Sequence, residues 1–310
     1  MKRLILILGV VFFAITTNAQ QESMFTHYSF NTMAINPGYA GSRDALTLTG
    51  LHRSQWVSFP GAPTTQTVTV HAPLANNKMG LGLSLLHDQI GPTSNSSVNV
   101  DLAYRVQVGT EGHLSFGLKG GLNFMSSNLQ SEVTTLEEGD AAFQNNIQSE
   151  LLPNFGFGIY YANPKLFVGL SSPRLLNSDI LSGEVSNFSN NLQRHYYLIT
   201  GAMLSLNKKE TVKFKPTAFF RLTDGAPLQM DFTALFYFKD KYWIGPMFRV
   251  TDQVGVLSGL NIIDQFSLAY SFDWSFNSRS IGNNYGSHEL MLRYDFMYKT
   301  KGGIVSPRYF

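Results

Sequence analysis

Val98-Asn-Val-Asp-Leu-Ala-Tyr-Arg-Val-Gln-Val108 places Val98, Val100, Leu102, Tyr104, Val106 and Val108 on one side of an extended chain. Asn99, Asp101, Ala103, Arg105 and Gln107 fall on the other. Successive side chains of a strand point to opposite faces, so this period of two predicts a β-strand with one greasy and one polar face. After a turn at Gly109-Thr110-Glu111 the pattern returns, with Leu114, Phe116, Leu118, Leu122 and Phe124 opposing Ser115, Lys119 and Asn123.

The second half of the chain is built the same way. Leu228, Met230, Phe232, Ala234, Phe236 and Phe238 alternate with Gln229, Asp231, Thr233, Leu235 and Tyr237. Similar windows start at Tyr242, Phe266 and Leu290, and helical periodicity is nowhere comparable. Half-buried soluble sheets share this period. Length separates the cases, because soluble strands usually run about five to six residues. These windows approach the roughly 9 to 11 residues that a tilted strand needs to cross a bilayer. The expected fold class is all-β, a transmembrane outer-membrane β-barrel of about fourteen antiparallel strands.

The N-terminus agrees with export. Lys2 and Arg3 precede an apolar run from Leu4 to Ile15, and Thr17-Asn18-Ala19 supplies small residues for cleavage. Residues 1–19 therefore read as a signal peptide for Sec-type export, with the mature chain starting at Gln20. The run is too short for a membrane-spanning helix, and no later stretch replaces it. The 310 residues include 23 Lys+Arg, 21 Asp+Glu and no Cys. Losing Lys2 and Arg3 leaves 21 against 21, so no nucleic-acid footprint is expected. The absence of Cys excludes disulfides, thiolate metal sites and a lipid-anchored cysteine.

Strand limits are expected at 45–56, 64–73, 78–90, 93–108, 112–128, 153–162, 166–172, 195–206, 212–221, 228–238, 242–251, 253–262, 266–275 and 286–298. Short turns such as Asn163-Pro164-Lys165 and Lys239-Asp240-Lys241 alternate with longer connections, including 129–152 and 173–194. In a barrel the short set faces the periplasm and the long set the cell surface. Two connections, at Gly91-Pro92 and near Asp252, are tight on the long-loop side. Residues 20–44 mix aromatics with Asn36-Pro37-Gly38, lack alternation and read as a periplasmic strap or plug; 45–310 form one barrel domain.

By register, Asp101, Arg105, Lys119, Lys213, Lys215, Arg221, Asp231, Arg249, Asp273, Glu289, Arg293 and Asp295 face the lumen. Both signs occur, which suits mutual neutralisation better than a selective pore. The seven His show no metal spacing, and neither a nucleophile elbow nor a P-loop is present. No catalytic residue, metal or cofactor is expected. Asn36, Pro37, Arg53, Gln55, Trp56, Gly61, Ala62 and Pro63 are candidates for a mouth or partner site. Arg53, Gln55 and Trp56 end the first strand, where Trp56 could anchor at the interface, and Gly61-Ala62-Pro63 permits a tight loop. Closing the barrel between its first and last strands would explain this block equally well.

Asn36-Pro-Gly-Tyr-Ala-Gly-Ser42, Arg53-Ser-Gln-Trp56, Gly61-Ala-Pro-Thr-Thr-Gln-Thr67 and His71-Ala-Pro-Leu74 follow one another in close order. With His288-Glu-Leu-Met-Leu and the terminal Ser306-Pro-Arg-Tyr-Phe310, they resemble the PorP/SprF family of type IX secretion system membrane proteins. Between Leu129 and Arg194 only generic barrel character is visible. The resemblance implies an outer-membrane barrel of the Bacteroidetes phylum. It also implies a role in secreting or retaining adhesins and other cargo with C-terminal sorting domains, alongside periplasmic and outer-membrane secretion and gliding machinery. Outer-membrane lipid is the remaining expected partner. A passive porin or hydrophobic-solute transporter is the rival expectation.

Overall fold

The computed structural model describes residues 24–74, 77–128, 147–176, 178–180, 190–192, 194–223, 226–250, 253–276 and 285–296. The expected signal peptide and the terminal Ser306–Phe310 lie outside these residues. Fourteen strands cross in up-and-down order: β1 (Leu46–Ser54), β2 (Thr64–Pro73), β3 (Met79–Ile90), β4 (Thr93–Val108), β5 (Gly112–Ser127), β6 (Ile147–Ala162) and β7 (Leu166–Arg174). They continue as β8 (His195–Ala202), β9 (Val212–Thr223), β10 (Gln229–Phe238), β11 (Tyr242–Arg249), β12 (Gln253–Ile263), β13 (Phe266–Ser275) and β14 (Ser287–Phe296). Leu204–Ser205 prolongs β8 along β9 after a break at Met203.

Every neighbouring pair is antiparallel, and β1 pairs with β14 from Leu46↔Phe296 to Ser54↔His288, which closes the cylinder and leaves no sheet edge. Among the described residues no helix is long and apolar enough to cross a membrane, so the crossing is made by strands. The alternation dictates which side faces what. Val98, Val100, Leu102, Tyr104, Val106 and Val108 all point outward, as do Phe116 and Leu118, the latter 67% exposed. Tyr104, Phe238 and Tyr242 lie outward near the turn end of this belt, and Phe155, Phe248 and Trp274 near its loop end. Aromatic rings at both rims suit a membrane interface.

Boundaries shift by up to a few residues, as where β8 ends at Ala202 instead of 206, and the largest shift is at the start of β6. β6 starts at Ile147 instead of 153, because β5 offers it a ladder up to Ser127↔Ile147. Ser149-Glu150-Leu151-Leu152-Pro153 lacks clean alternation, so tertiary pairing overrides the local signal there. β4, β5 and β6 each reach 16 residues, whereas β1 and β7 have 9.

Candidate functional site

The segment Met24–Ala45 runs inside the cylinder. It has too few consecutive apolar residues to fold alone, and its one helical turn (Thr32–Ile35) and 3₁₀ turn (Pro37–Tyr39) are held by the barrel wall. Phe25, His27, Tyr28, Phe30, Asn31, Met33, Asn36, Tyr39 and Arg43 are all buried. The chain leaves β1 at the turn end and passes the walls made by β3 to β7. It then crosses to β9 and β11 and finishes near the loop end against β13 and β14.

Small inward residues make room for it. A Cβ on Gly80 would fall 2.0 Å from the Ala40 carbonyl oxygen, one on Gly117 2.3 Å from the Gly38 nitrogen, and one on Gly158 2.1 Å from Asn36 Oδ1. Gly82 similarly faces Met33 Sδ at 2.6 Å. These inward glycines let the segment's backbone approach the sheet as no other residue would. Asn36 then donates to the Ile159 carbonyl (3.1 Å) and accepts from the Gly38 amide (2.9 Å), while Ser171 donates to the Ile35 carbonyl (2.8 Å). Asn31 donates to Thr67 (2.9 Å) and accepts from Thr69 (3.0 Å). On the far wall Tyr28 stacks on Phe219 and Phe30 on Trp243, with Lys215 Nζ 5.1 Å from the Phe30 ring centre.

Charged clusters hold the two ends. At the loop end Glu289 accepts from the amides of Thr26 (2.8 Å) and His27 (2.7 Å) and lies 2.7 Å from His27 Nδ1. Arg53 donates to both Asp273 oxygens (2.7 and 3.0 Å), to Glu289 (3.3 Å) and to the Thr26 hydroxyl (2.8 Å). At the turn end Arg43 grips Asp295 in a fork (3.1 and 2.9 Å), Thr47 donates to the same carboxylate (2.7 Å), and Arg105 meets Asp44 (2.6 Å) and the Gly41 carbonyl.

All the lumen candidates point inward and are buried. Lys119 pairs with Asp101 (3.2 Å), Asp231 sits between Arg221 (3.0 Å) and Arg249 (2.8 Å), and Arg293 lies 3.9 Å from Asp295. Opposite charges thus meet across neighbouring strands or, for Arg293 and Asp295, along one strand, and no ring of one sign forms from these residues. A polar cavity of about 80 Å³ remains beside the segment, lined in part by Asn95, Asn99, Asn123, Asn154, Lys119 and Arg174.

The mouth candidates separate into three places. Asn36 and Pro37 lie deep in the bore against β5 to β7, and Arg53 belongs to the interior charge cluster. Gln55, Trp56, Gly61, Ala62 and Pro63 form or flank the β1–β2 loop. That loop is stitched on both sides: Val57 N–H to the Gly286 carbonyl, Tyr285 N–H to the Val57 carbonyl, and Gly91 N–H to the Gly61 carbonyl, each 2.9 Å. Trp56 and Ser58 take left-handed backbone (φ 48° and 76°), strain that persists only where neighbours impose it. Trp56's indole nitrogen is buried, whereas Phe59 (53%) and Tyr285 (72%) are exposed at this rim. Glycines in strands such as Gly80 and Gly82 read from the sequence as relieving crowding, which they do, but sequence reasoning missed the contact of His27 with Glu289 and the segment that the glycines accommodate. Runs of small residues at inward strand positions were the available signal.

Among the described residues no three His, Asp or Glu side chains gather as metal ligands. A closed antiparallel cylinder with a lipid-facing belt and a charged, filled bore defines an outer-membrane β-barrel. Solved structures with this fold include the CymD monoaromatic hydrocarbon channel, 10% identical with TM-score 0.50, covering 86% of this chain and 93% of that one. Omp33 of Acinetobacter baumannii (9% identical, TM-score 0.48, 83% and 100% covered) and a Pseudomonas aeruginosa FadL homologue (10%, 0.47, 87% and 94%) are also similar. At these identities the likeness concerns the fold alone. No curated protein matches the sequence. The family profile of the type IX secretion system membrane protein PorP/SprF matches residues 17–294, and the chain belongs to that family.

Proposed function

We propose that this barrel is a non-enzymatic docking component of type IX secretion. It holds secreted adhesins and other cargo bearing C-terminal sorting domains at the cell surface, and engages periplasmic and outer-membrane secretion and gliding machinery. Its chain reaches the outer membrane by Sec-type export and cleavage before Gln20. The observation that carries this reading is the bore filled by Met24–Ala45 and fastened at both ends. A filled bore leaves the rims as working surfaces, and the stitched β1–β2 loop with Phe59 and Tyr285 supplies a rigid one.

Deleting the gene should abolish surface display of a dependent adhesin while purified protein fails to swell liposomes. Adhesin display that survives the deletion, together with rapid swelling, would overturn docking in favour of the rival porin or hydrophobic-solute transporter.

A further inference from the structure

We propose that the turn end carries a binding arc for anionic phospholipid, in which Lys165, Lys208, Lys209, Lys239 and Lys241 receive headgroup phosphates. The five lysines are exposed and fall on three consecutive turns, β6–β7, β8–β9 and β10–β11. The acids within this arc are Glu210 and Asp240, and Asp240 is already matched by Lys213 at 3.0 Å. Among the described residues the β2–β3, β4–β5 and β12–β13 turns carry only Lys78, Glu111 and Asp264 as charged groups. Among the described residues the positive charge of the turns is therefore concentrated on one side of the rim.

The arc is also rigid. Met203 N–H donates to the Lys165 carbonyl (2.7 Å), Lys239 N–H to the Thr211 carbonyl (2.7 Å) and Asn261 N–H to the Lys241 carbonyl (2.8 Å), so each turn is tied to the neighbouring hairpin. Lys239 and Asp240 both take left-handed backbone (φ 51° and 55°), the geometry of a tight primed hairpin turn. Adjacent turns are two strand spacings apart, about 10 Å, so the three turns span about 20 Å of membrane boundary. Lysines on tied turns lose less backbone freedom on binding than lysines on floppy loops.

Lipid is favoured over an acidic protein by what lies directly beside the charges. Leu166, Leu204, Leu206, Phe238 and Tyr242 are exposed on the outward faces of the same strands. Lys241 Nζ lies 5.6 Å from the Tyr242 ring centre, at the rim of the belt. Cations bordering a greasy outward face fit one molecule with a phosphate above acyl chains. The turn end faces the periplasm by the usual orientation of such barrels, which places the arc at the phospholipid leaflet.

The test is native mass spectrometry of the full chain released from mixed micelles. These contain phosphatidylglycerol and phosphatidylcholine with identical acyl chains. Retention of phosphatidylglycerol should exceed that of phosphatidylcholine by about tenfold, as several lysines near a headgroup would give. Combined K208Q, K209Q, K239Q and K241Q should erase that preference, whereas K78Q should keep it. Heat-dependent gel migration checks that each variant still forms the barrel; should the combined variant fail, the K208Q/K209Q and K239Q/K241Q pairs are to reduce the preference separately. Equal retention of both lipids, or a preference indifferent to these lysines, overturns the proposal. So does a preference abolished by excess inorganic phosphate, which would assign the site to the free ion. Loss of a co-purifying acidic protein with lipid preference intact would likewise overturn it, in favour of a protein surface.

Discussion

The two ends of the inner segment are fastened by similar chemistry in different surroundings. At the turn end the Arg43–Asp295 pair is buried but the Arg105–Asp44 pair is partly open, Asp44 being 31% exposed, and the segment is also joined covalently to β1 a residue or two later. At the loop end no covalent link helps, and the side chains of His27, Arg53, Asp273 and Glu289 are at most 1% exposed. Breaking a buried charge pair by deleting one partner typically costs about 3–5 kcal/mol, because the survivor stays buried and uncompensated. An exposed pair is worth about 0–1 kcal/mol. The comparison teaches that at the turn end a covalent link backs the buried Arg43–Asp295 fork, whereas at the loop end buried side chains alone hold the segment, far from its point of attachment.

The most drastic way to break this contrast is to remove both anchors. A protein lacking residues 20–45 should show a large rise in conductance in planar bilayers, and an unchanged trace would reject the idea that the segment seals the bore. Next in size comes Glu289→Ala, which strips the acceptor from Thr26, His27 and Arg53 at once. It should lower stability by about 3–5 kcal/mol and open the segment to protease while the barrel persists. Limited proteolysis read by mass spectrometry would show this, and continued protection would locate the hold elsewhere.

Gly80→Val should cost about 1–3 kcal/mol through overpacking against Ala40, whereas Gly120→Val, with nothing within 4 Å of its Cβ, should be nearly silent. Equal thermal unfolding of the two variants would contradict a close-fitting seat. The smallest change is expected for Asp44→Ala, about 0–1 kcal/mol and diminishing with salt. Should its unfolding temperature fall as far as that of Glu289→Ala, the two ends are not different in kind.

The barrel was legible because its signal is periodic. Val98–Val108 and Leu228–Phe238 announce register by themselves, and register alone sends Asp231 and Arg249 inward. The position of the inner segment was not legible to the same degree. Its neighbours are wall residues remote in sequence, so Tyr28 against Phe219 or Thr26 against Glu289 leaves no local pattern to read. Arg53 illustrates the limit: the sequence reads it as a mouth residue at the end of the first strand, and only the fold reveals that Asp273 and Glu289 meet it in the bore. The start of β6 was hidden for a related reason, since its ladder with β5 outruns its own sequence preference.

The loop-end cluster has a consequence for biogenesis. Arg53 and Glu289 sit opposite each other in the register of β1 and β14, the first and last strands to emerge. Thr26 and His27 thus find their full set of partners only once the cylinder zips shut, and by then the way in from the side is gone. Assembly must enclose the segment as it closes instead of threading it afterwards. A variant that closes first should trap its N-terminal residues outside, where a pulse of protease during insertion would catch them.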